Sequence, residues 1–242
     1  MKRAMWNPWH GCHKCSDGCK NCFVYFFDGK RERDANTVTR SKSGFDLPRK
    51  KTRDGAYKIA SGSEVATCFT SDFFIEEADP WRDEAWDIIK TRPDLNFLIC
   101  TKRIRRFGDC TPDDWGDGYD NVTIAVSCEN QAAAKERLPY LLDAKCKRKY
   151  IFAAPLLEYV DFGEFLKDGK IDAVFAGGES YKNARTCDFS WIKQIKCDCD
   201  KFGVKFDFHQ TGSNFIYNGK HYKIPHRDEY AQAKKGMKLL ET

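Results

Sequence analysis

Cys12, Cys15, Cys19 and Cys22 lie within eleven residues of one another, in the pattern C-x2-C-x3-C-x2-C. Thiolates packed this closely repel one another unless a cation shares them, and soft sulfur donors select zinc or iron–sulfur centres. Gly11, Gly18 and the polar residues between the cysteines make the run a loop rather than a helix or strand. A structural zinc site usually joins two C-x-x-C knuckles across a spacer of roughly 12–20 residues. Here only Ser16, Asp17 and Gly18 separate the pairs, which is tight for two independent knuckles. The chain has 12 cysteines in 242 residues, a number that fits metal thiolates in a reducing compartment better than a disulfide framework.

Length suits one domain with small appendages. No run of about 18 apolar residues occurs, so no transmembrane helix is expected. Lys2 and Arg3 precede the cysteine loop without an apolar stretch, which argues against a secretory signal and for a cytoplasmic protein. The net charge is +5, and much of the excess sits between Arg31 and Lys58. That segment reads either as a nucleic-acid surface or as a solvated loop.

Beyond the loop, Cys22 to Asp34 begins as a helix with Phe23, Phe26 and Phe27 on its apolar face, and Thr37 to Gly62 reads as an excursion over the surface. The chain then becomes rhythmic. Strands are expected at Val65–Thr70, Asn96–Thr101, Val122–Ser127, Arg148–Ala154, Ile171–Ala176 and Val204–Phe208. Helices are expected at Pro80–Thr91, with Asp79 as a cap, and at Gln131–Asp143 and Ser190–Phe202. Such alternation argues for an α/β fold of βαβ units around a parallel sheet, an incomplete parallel (β/α)6-7 barrel. Residues 1–213 would form it, with a cluster loop at 10–25 and a basic insertion at 31–62. Residues 214–242 would be a C-terminal extension, either a lid or packing extension or a surface whose tyrosines and histidines stack on bases.

Within the loop, Cys15, Cys19 and Cys22 spell C-x3-C-x2-C, which resembles the motif by which radical S-adenosylmethionine (SAM) enzymes hold a [4Fe–4S] cluster with one iron open. Residues 6–23 also resemble the signature of a phage-associated, radical-SAM-like family of unknown function, W-N-P-x-x-G-C-x-K-x-S-x-G-C-x-N-C-Y. Every fixed residue from Trp6 to Cys22 matches, and Phe23 replaces the final tyrosine. The position of Cys15 is variable in that pattern, so the family favours Cys12, Cys19 and Cys22 as ligands while the superfamily spacing favours Cys15 in place of Cys12. A closed four-thiolate site is a further option. The resemblance implies a barrel of radical SAM type, the cofactors [4Fe–4S] and SAM, and an electron donor of flavodoxin or ferredoxin type.

In parallel barrels the site forms at the C-terminal strand ends, and here each expected strand is followed by polar residues. The resemblance extends to these segments, where the family typically shows S-D, T-K-R, S-x-E-N, E-P-L-L, G-G-E-S and K-Q-x-G. On that basis Ser71, Asp72, Ser127, Glu129, Asn130, Gly177, Gly178 and Glu179 are candidates for SAM binding. Asp72 would take the ammonium group, Ser127, Glu129 and Asn130 the ribose, and the glycines would allow close backbone approach. Lys102, Arg103, Glu158, His209 and Gln210 are candidates for substrate binding, with Lys102 and Arg103 suited to a carboxylate or phosphate. Two positions depart from the pattern: Ala154 stands where glutamate is usual, and His209 where lysine is usual. Cys187, Cys197 and Cys199 match no strong cluster spacing, and Cys68, Cys100 and Cys128 read as small apolar residues. The expected activity is reductive cleavage of SAM and hydrogen abstraction from a small molecule, nucleotide, nucleic-acid base or peptide. The alternative is a non-catalytic zinc or closed-cluster module that binds nucleic acid.

Overall fold

A computed structural model of the chain describes residues 2–240. Seven parallel strands form one sheet: β1 (Arg3–Trp6), β2 (Glu64–Thr67), β3 (Asn96–Thr101), β4 (Val122–Ser127), β5 (Lys149–Ala153), β6 (Ala173–Gly177) and β7 (Lys205–Gln210). Their order in the sheet is their order in the chain, the order of an unclosed (β/α) barrel. Helices α1 (Phe23–Gly29), α2 (Asp79–Lys90), α3 (Gln131–Asp143) and α4 (Phe189–Lys201) lie between strands in sequence. A hairpin of β8 (Asn214–Tyr217) and β9 (Lys220–Lys223), then α5 (His226–Lys238), completes the chain. Among the described residues no helix is long and apolar enough to cross a membrane.

The first strand escapes sequence reading because it is four residues long and only Trp6 is fully buried. It pairs with β2 in the register Arg3↔Glu64 to Trp6↔Thr67 and delivers the chain into the cysteine loop. The second strand is shorter than the run Val65–Thr70 suggests. Cys68 turns into the left-handed region at φ 62°, which ends the strand and sends Thr70, Ser71 and Asp72 out at its C-terminal end. In α2, Asp79 is the first helical residue rather than the cap, and its carboxylate pairs with Arg82 and Arg106. The chain falls into two compact units, residues 2–13, 27–125 and 143–148 in one, and 14–26, 126–142 and 149–240 in the other.

The first unit is built on aromatic residues. Trp9 packs on Phe73 at 5.1 Å between ring centroids, Phe73 on Trp86 at 4.9 Å, and Trp86 on Trp115 at 5.0 Å. The buried indole N–H groups find carbonyls, Trp6 donating to Phe45 at 2.7 Å and Trp9 to Asp72 at 3.1 Å. Trp6 and Trp9 therefore serve the core and fix the loop's entry. In the second unit Ile151, Val174, Ala176 and Phe208 of β5–β7 and Ile192 and Ile195 of α4 are all fully buried.

The insertion is anchored rather than loose. Arg92, 1% exposed, donates through its guanidinium to the carbonyls of Ile59 at 3.0 Å and of Pro48, pairs with Asp94, and lies over the Tyr57 ring. Phe45 is buried beneath. Arg31, Arg33, Lys42, Lys51 and Arg53 remain exposed or partly so. Replacing Arg92 by Met leaves two buried carbonyls without donors and should cost about 3 kcal/mol. Urea unfolding measures that loss, and limited proteolysis should show new cleavage between residues 45 and 62.

Candidate metal centre and strand-end side chains

The cysteine loop begins where β1 ends. Gly11 sits at φ 93°, and a Cβ there would lie 2.2 Å from the Thr37 carbonyl oxygen, so only glycine fits. The Gly11 N–H donates to Thr70 at 3.2 Å, the Cys12 N–H to Ala35 at 2.8 Å, and the Ser71 hydroxyl to the Gly11 carbonyl. Asp72 is buried with both oxygens engaged. Oδ1 accepts from Thr101 Oγ1 at 2.6 Å and the Phe74 N–H at 3.0 Å. Oδ2 accepts from the Lys102 N–H at 2.9 Å and Arg103 Nη1 at 3.3 Å. The same Nη1 lies 3.6 Å from Cys12 Sγ, while Nη2 donates to the His13 carbonyl at 2.8 Å. Asp72 thus orients Thr101, Lys102 and Arg103, and the guanidinium sets a cation beside Cys12 Sγ. Asp72, expected from sequence to receive the SAM ammonium group, is in this structure a partner of Arg103.

Cys68 lies behind this group. Burial pushes its thiol well up, and the charges of Asp72 and Cys12 push it further, so it stays a neutral core residue. His10 pairs with the buried Asp28 at 2.6 Å and His13 with Glu77.

The remaining loop residues belong to the second unit. A 3-10 turn at Asp17–Cys19 carries buried Gly18, whose N–H donates to Glu129 Oε1 at 3.2 Å. A Cβ on Gly18 would stand 2.9 Å from Glu129 Cδ. Glu129 is 0% exposed. Its other oxygen pairs with Arg137 Nη1 at 2.8 Å, and that nitrogen also donates to the Ser127 carbonyl. Asn130 caps α3, accepting from the Ala133 N–H at 2.8 Å, and its amide reaches Asp17 at 3.5 Å.

Glu179 holds the far side of the turn. It accepts from Asn21 Nδ2 at 2.8 Å and from the N–H, Nε and Nη2 of Arg185. Arg185 Nη2 also donates to the Asp17 carbonyl at 3.0 Å, and Asn21 to that of Asn183 at 2.9 Å. Burial alone would raise the Glu179 carboxyl, but Arg185, Asn21 and the backbone N–H outweigh it and hold it below the usual range.

The glycine pair has a packing role in this structure. A Cβ on Gly178 would meet the Thr211 carbonyl oxygen at 2.2 Å, and one on Gly177 would meet Gln210 Cγ at 2.9 Å. These glycines let the end of β7 close on β6, and Gln210 reinforces it by donating to the Gly178 carbonyl at 2.8 Å. Glu158, next to Leu157, whose N–H donates to the Glu129 carbonyl, accepts from the Gln131 N–H at the start of α3, and His209 packs edge-on against Tyr230.

Cys12, Cys19 and Cys22 are half-buried and Cys15 is exposed, whereas Cys68, Cys110, Cys128, Cys187 and Cys199 are buried. Among the described residues no three His, Cys, Asp or Glu side chains are gathered as a metal site. Cys187 and Cys199, their thiols pushed up by burial, belong to the core, while Cys197 faces solvent. Sequence reading named both glutamates but missed Arg137 and Arg185. Arg137 is hidden as one of several charges on α3, and Arg185 follows no strand directly.

Fold and site together define an α/β protein with a chain-ordered parallel sheet whose strand-end acids and arginines fasten a cysteine loop. The chain belongs to the family described as protein of unknown function DUF5131, which matches residues 2–238. Comparison with curated proteins and with solved structures finds no match.

Glu179 gives a pH test. Because its folded pKa is depressed, its contribution is present above the unfolded value, near 4.5, and is lost as pH falls through the lower folded value. Glu179→Gln should therefore be less stable than the parent at neutral pH, with the gap closing below about pH 4.5. Thermal unfolding across that range measures the convergence.

Proposed function

We propose that this chain is a radical SAM enzyme whose cluster is held by three of the four loop cysteines, Cys19 and Cys22 with Cys12 or Cys15. One observation carries the reading: four thiols in eleven residues stay at least partly open to solvent while the backbone that bears them is fixed by buried strand-end groups. The donor set is all sulfur, which suits an iron–sulfur centre, and Arg103 sets a cation beside Cys12 Sγ. When bound, a [4Fe–4S] cluster with one iron lacking a protein ligand supplies the electron that splits SAM.

The protein's own work is positional. Glu129 and Glu179 grip the turn between Cys15 and Cys22, and Asp72 aims Arg103 at the other end of the loop. The groups proposed for SAM are Ser71, Asp72, Ser127, Glu129, Asn130, Gly177, Gly178 and Glu179, and those for substrate are Lys102, Arg103, Glu158, His209 and Gln210. A nucleotide, nucleic-acid base, small molecule or peptide is the substrate, and a flavodoxin or ferredoxin the electron donor.

A zinc or closed-cluster module binding nucleic acid through Arg31, Arg33, Lys42, Lys51 and Arg53 is the competing reading. Anaerobic reconstitution with iron and sulfide, followed by dithionite and SAM, separates the two. The expected product is 5′-deoxyadenosine; uptake of zinc alone with no 5′-deoxyadenosine would overturn the enzyme reading. Replacing Cys12 and Cys15 by Ala one at a time should abolish the intact cluster for only one of the pair, as read by visible absorbance and iron content.

A further inference from the structure

The C-terminal extension, with Phe189, Phe208 and Thr211, lines an open cavity of about 480 Å³ in which no residue of the cysteine loop takes part. Its floor is aromatic. Phe189 of α4 packs on Tyr217 of β8 at 5.4 Å and on Phe208 of β7 at 6.2 Å, and Phe208 stacks on Phe215 at 5.9 Å. Tyr222 on β9, 44% exposed, lines the same space. The helix wall comes close because α5 carries Gly236, where a Cβ would stand 3.1 Å from Phe189 Cε2.

Charge at the rim has one sign in excess. Exposed Lys223 and Lys235 line the cavity, against the single acid Asp228. Across residues 214–240 there are six Lys and Arg against two acids, Asp228 and Glu229, a balance of +4. Glu229 is buried, taken up by the hydroxyls of Ser180 at 2.5 Å and Ser213 at 2.7 Å. A second cavity, of about 470 Å³, shares Lys223, Ile224 and Pro225 with the first and has mixed walls, with Asn183, Ser213 and Asn214 beside Tyr181 and Ala184.

Lys223 donates to Asn214 Oδ1 and Lys235 faces solvent, so an anionic group at the rim would find two cations within the same cavity lining, while a bare anion would leave the aromatic wall unused. A planar ring joined to an anionic group satisfies both. We propose that this cavity receives one nucleobase, stacked against Tyr222, with its phosphate drawn to Lys223 and Lys235. Stacking of this kind tolerates any base because every base presents a π-face, and the second cavity, with Asn183, Ser213 and Asn214 on its wall, offers room for the next sugar–phosphate along a strand. The same chemistry comes from a mononucleotide or from a single-stranded nucleic acid, and both are used as probes.

The test uses the full chain without iron, so that its outcome does not depend on the cluster. Fluorescence anisotropy follows a labelled oligothymidylate at low and at physiological salt, and AMP is titrated separately by calorimetry. Saturable binding is expected for at least one probe, with about ten-fold weaker binding in Tyr222→Ala and Lys235→Glu and near-parental binding in Tyr222→Phe. For the oligonucleotide, affinity should fall with salt at a log–log slope of about −1 to −2, the mark of two phosphate contacts. Binding of the oligonucleotide alone identifies a strand as the source, and binding of AMP a free nucleotide. If neither probe binds, or if Tyr222→Ala and Lys235→Glu, shown folded by thermal unfolding, bind like the parent, the proposal is overturned. It is equally overturned if only Arg31→Glu or Arg33→Glu in the insertion weakens binding.

Discussion

A carboxylate sealed from water has to be answered by donors, and Glu129 is sealed completely. Its donors are the Arg137 guanidinium and the backbone N–H of Gly18. The second fixes the middle of the cysteine loop, because Gly18 has no side chain with which to retreat and no room to acquire one. Glu179 repeats the arrangement with Arg185 and Asn21, and Asp72 does so with Arg103 in the other unit. Three acids at strand ends each pair with an arginine and accept at least one further hydrogen bond from a neighbouring loop.

Stability alone would not call for this. A buried ion pair is often no better than apolar side chains of the same volume, whereas breaking one costs several kcal/mol. What the pairs supply is direction. A loop of glycines and polar residues has little apolar surface to bury, so without these contacts its backbone entropy would go unopposed. The acids hold the loop's backbone and leave its sulfurs half-buried or exposed, whereas five of the other eight thiols are buried.

The cysteine spacing was plain in sequence because four thiols at such short intervals repel one another as thiolates unless a cation lies between them. Most of the sheet was plain too, since β3 to β6 are largely apolar runs bounded by polar turns. β1 was not, being four residues with one buried side chain, nor was the left-handed Cys68 that ends β2, because nothing in its neighbours marks a positive φ. Asp72, Glu129 and Glu179 could be named as important from their place after strands. Their partners could not, because Arg137 and Arg185 meet them only through tertiary packing, and Gly178 looks open in sequence until the Thr211 carbonyl is seen filling its missing side chain. The hairpin of β8 and β9 and the aromatic cavity beside it were likewise hidden in a tail that reads as merely polar and basic.

The proposed chemistry would require an iron to which the protein gives no ligand. Electron paramagnetic resonance of the anaerobically reconstituted, dithionite-reduced chain, recorded before and after adding SAM, addresses it directly. An open iron requires a reduced [4Fe–4S] signal whose g-values move when SAM is added. A signal identical with and without SAM, or none from a chain that retains only zinc, would contradict it.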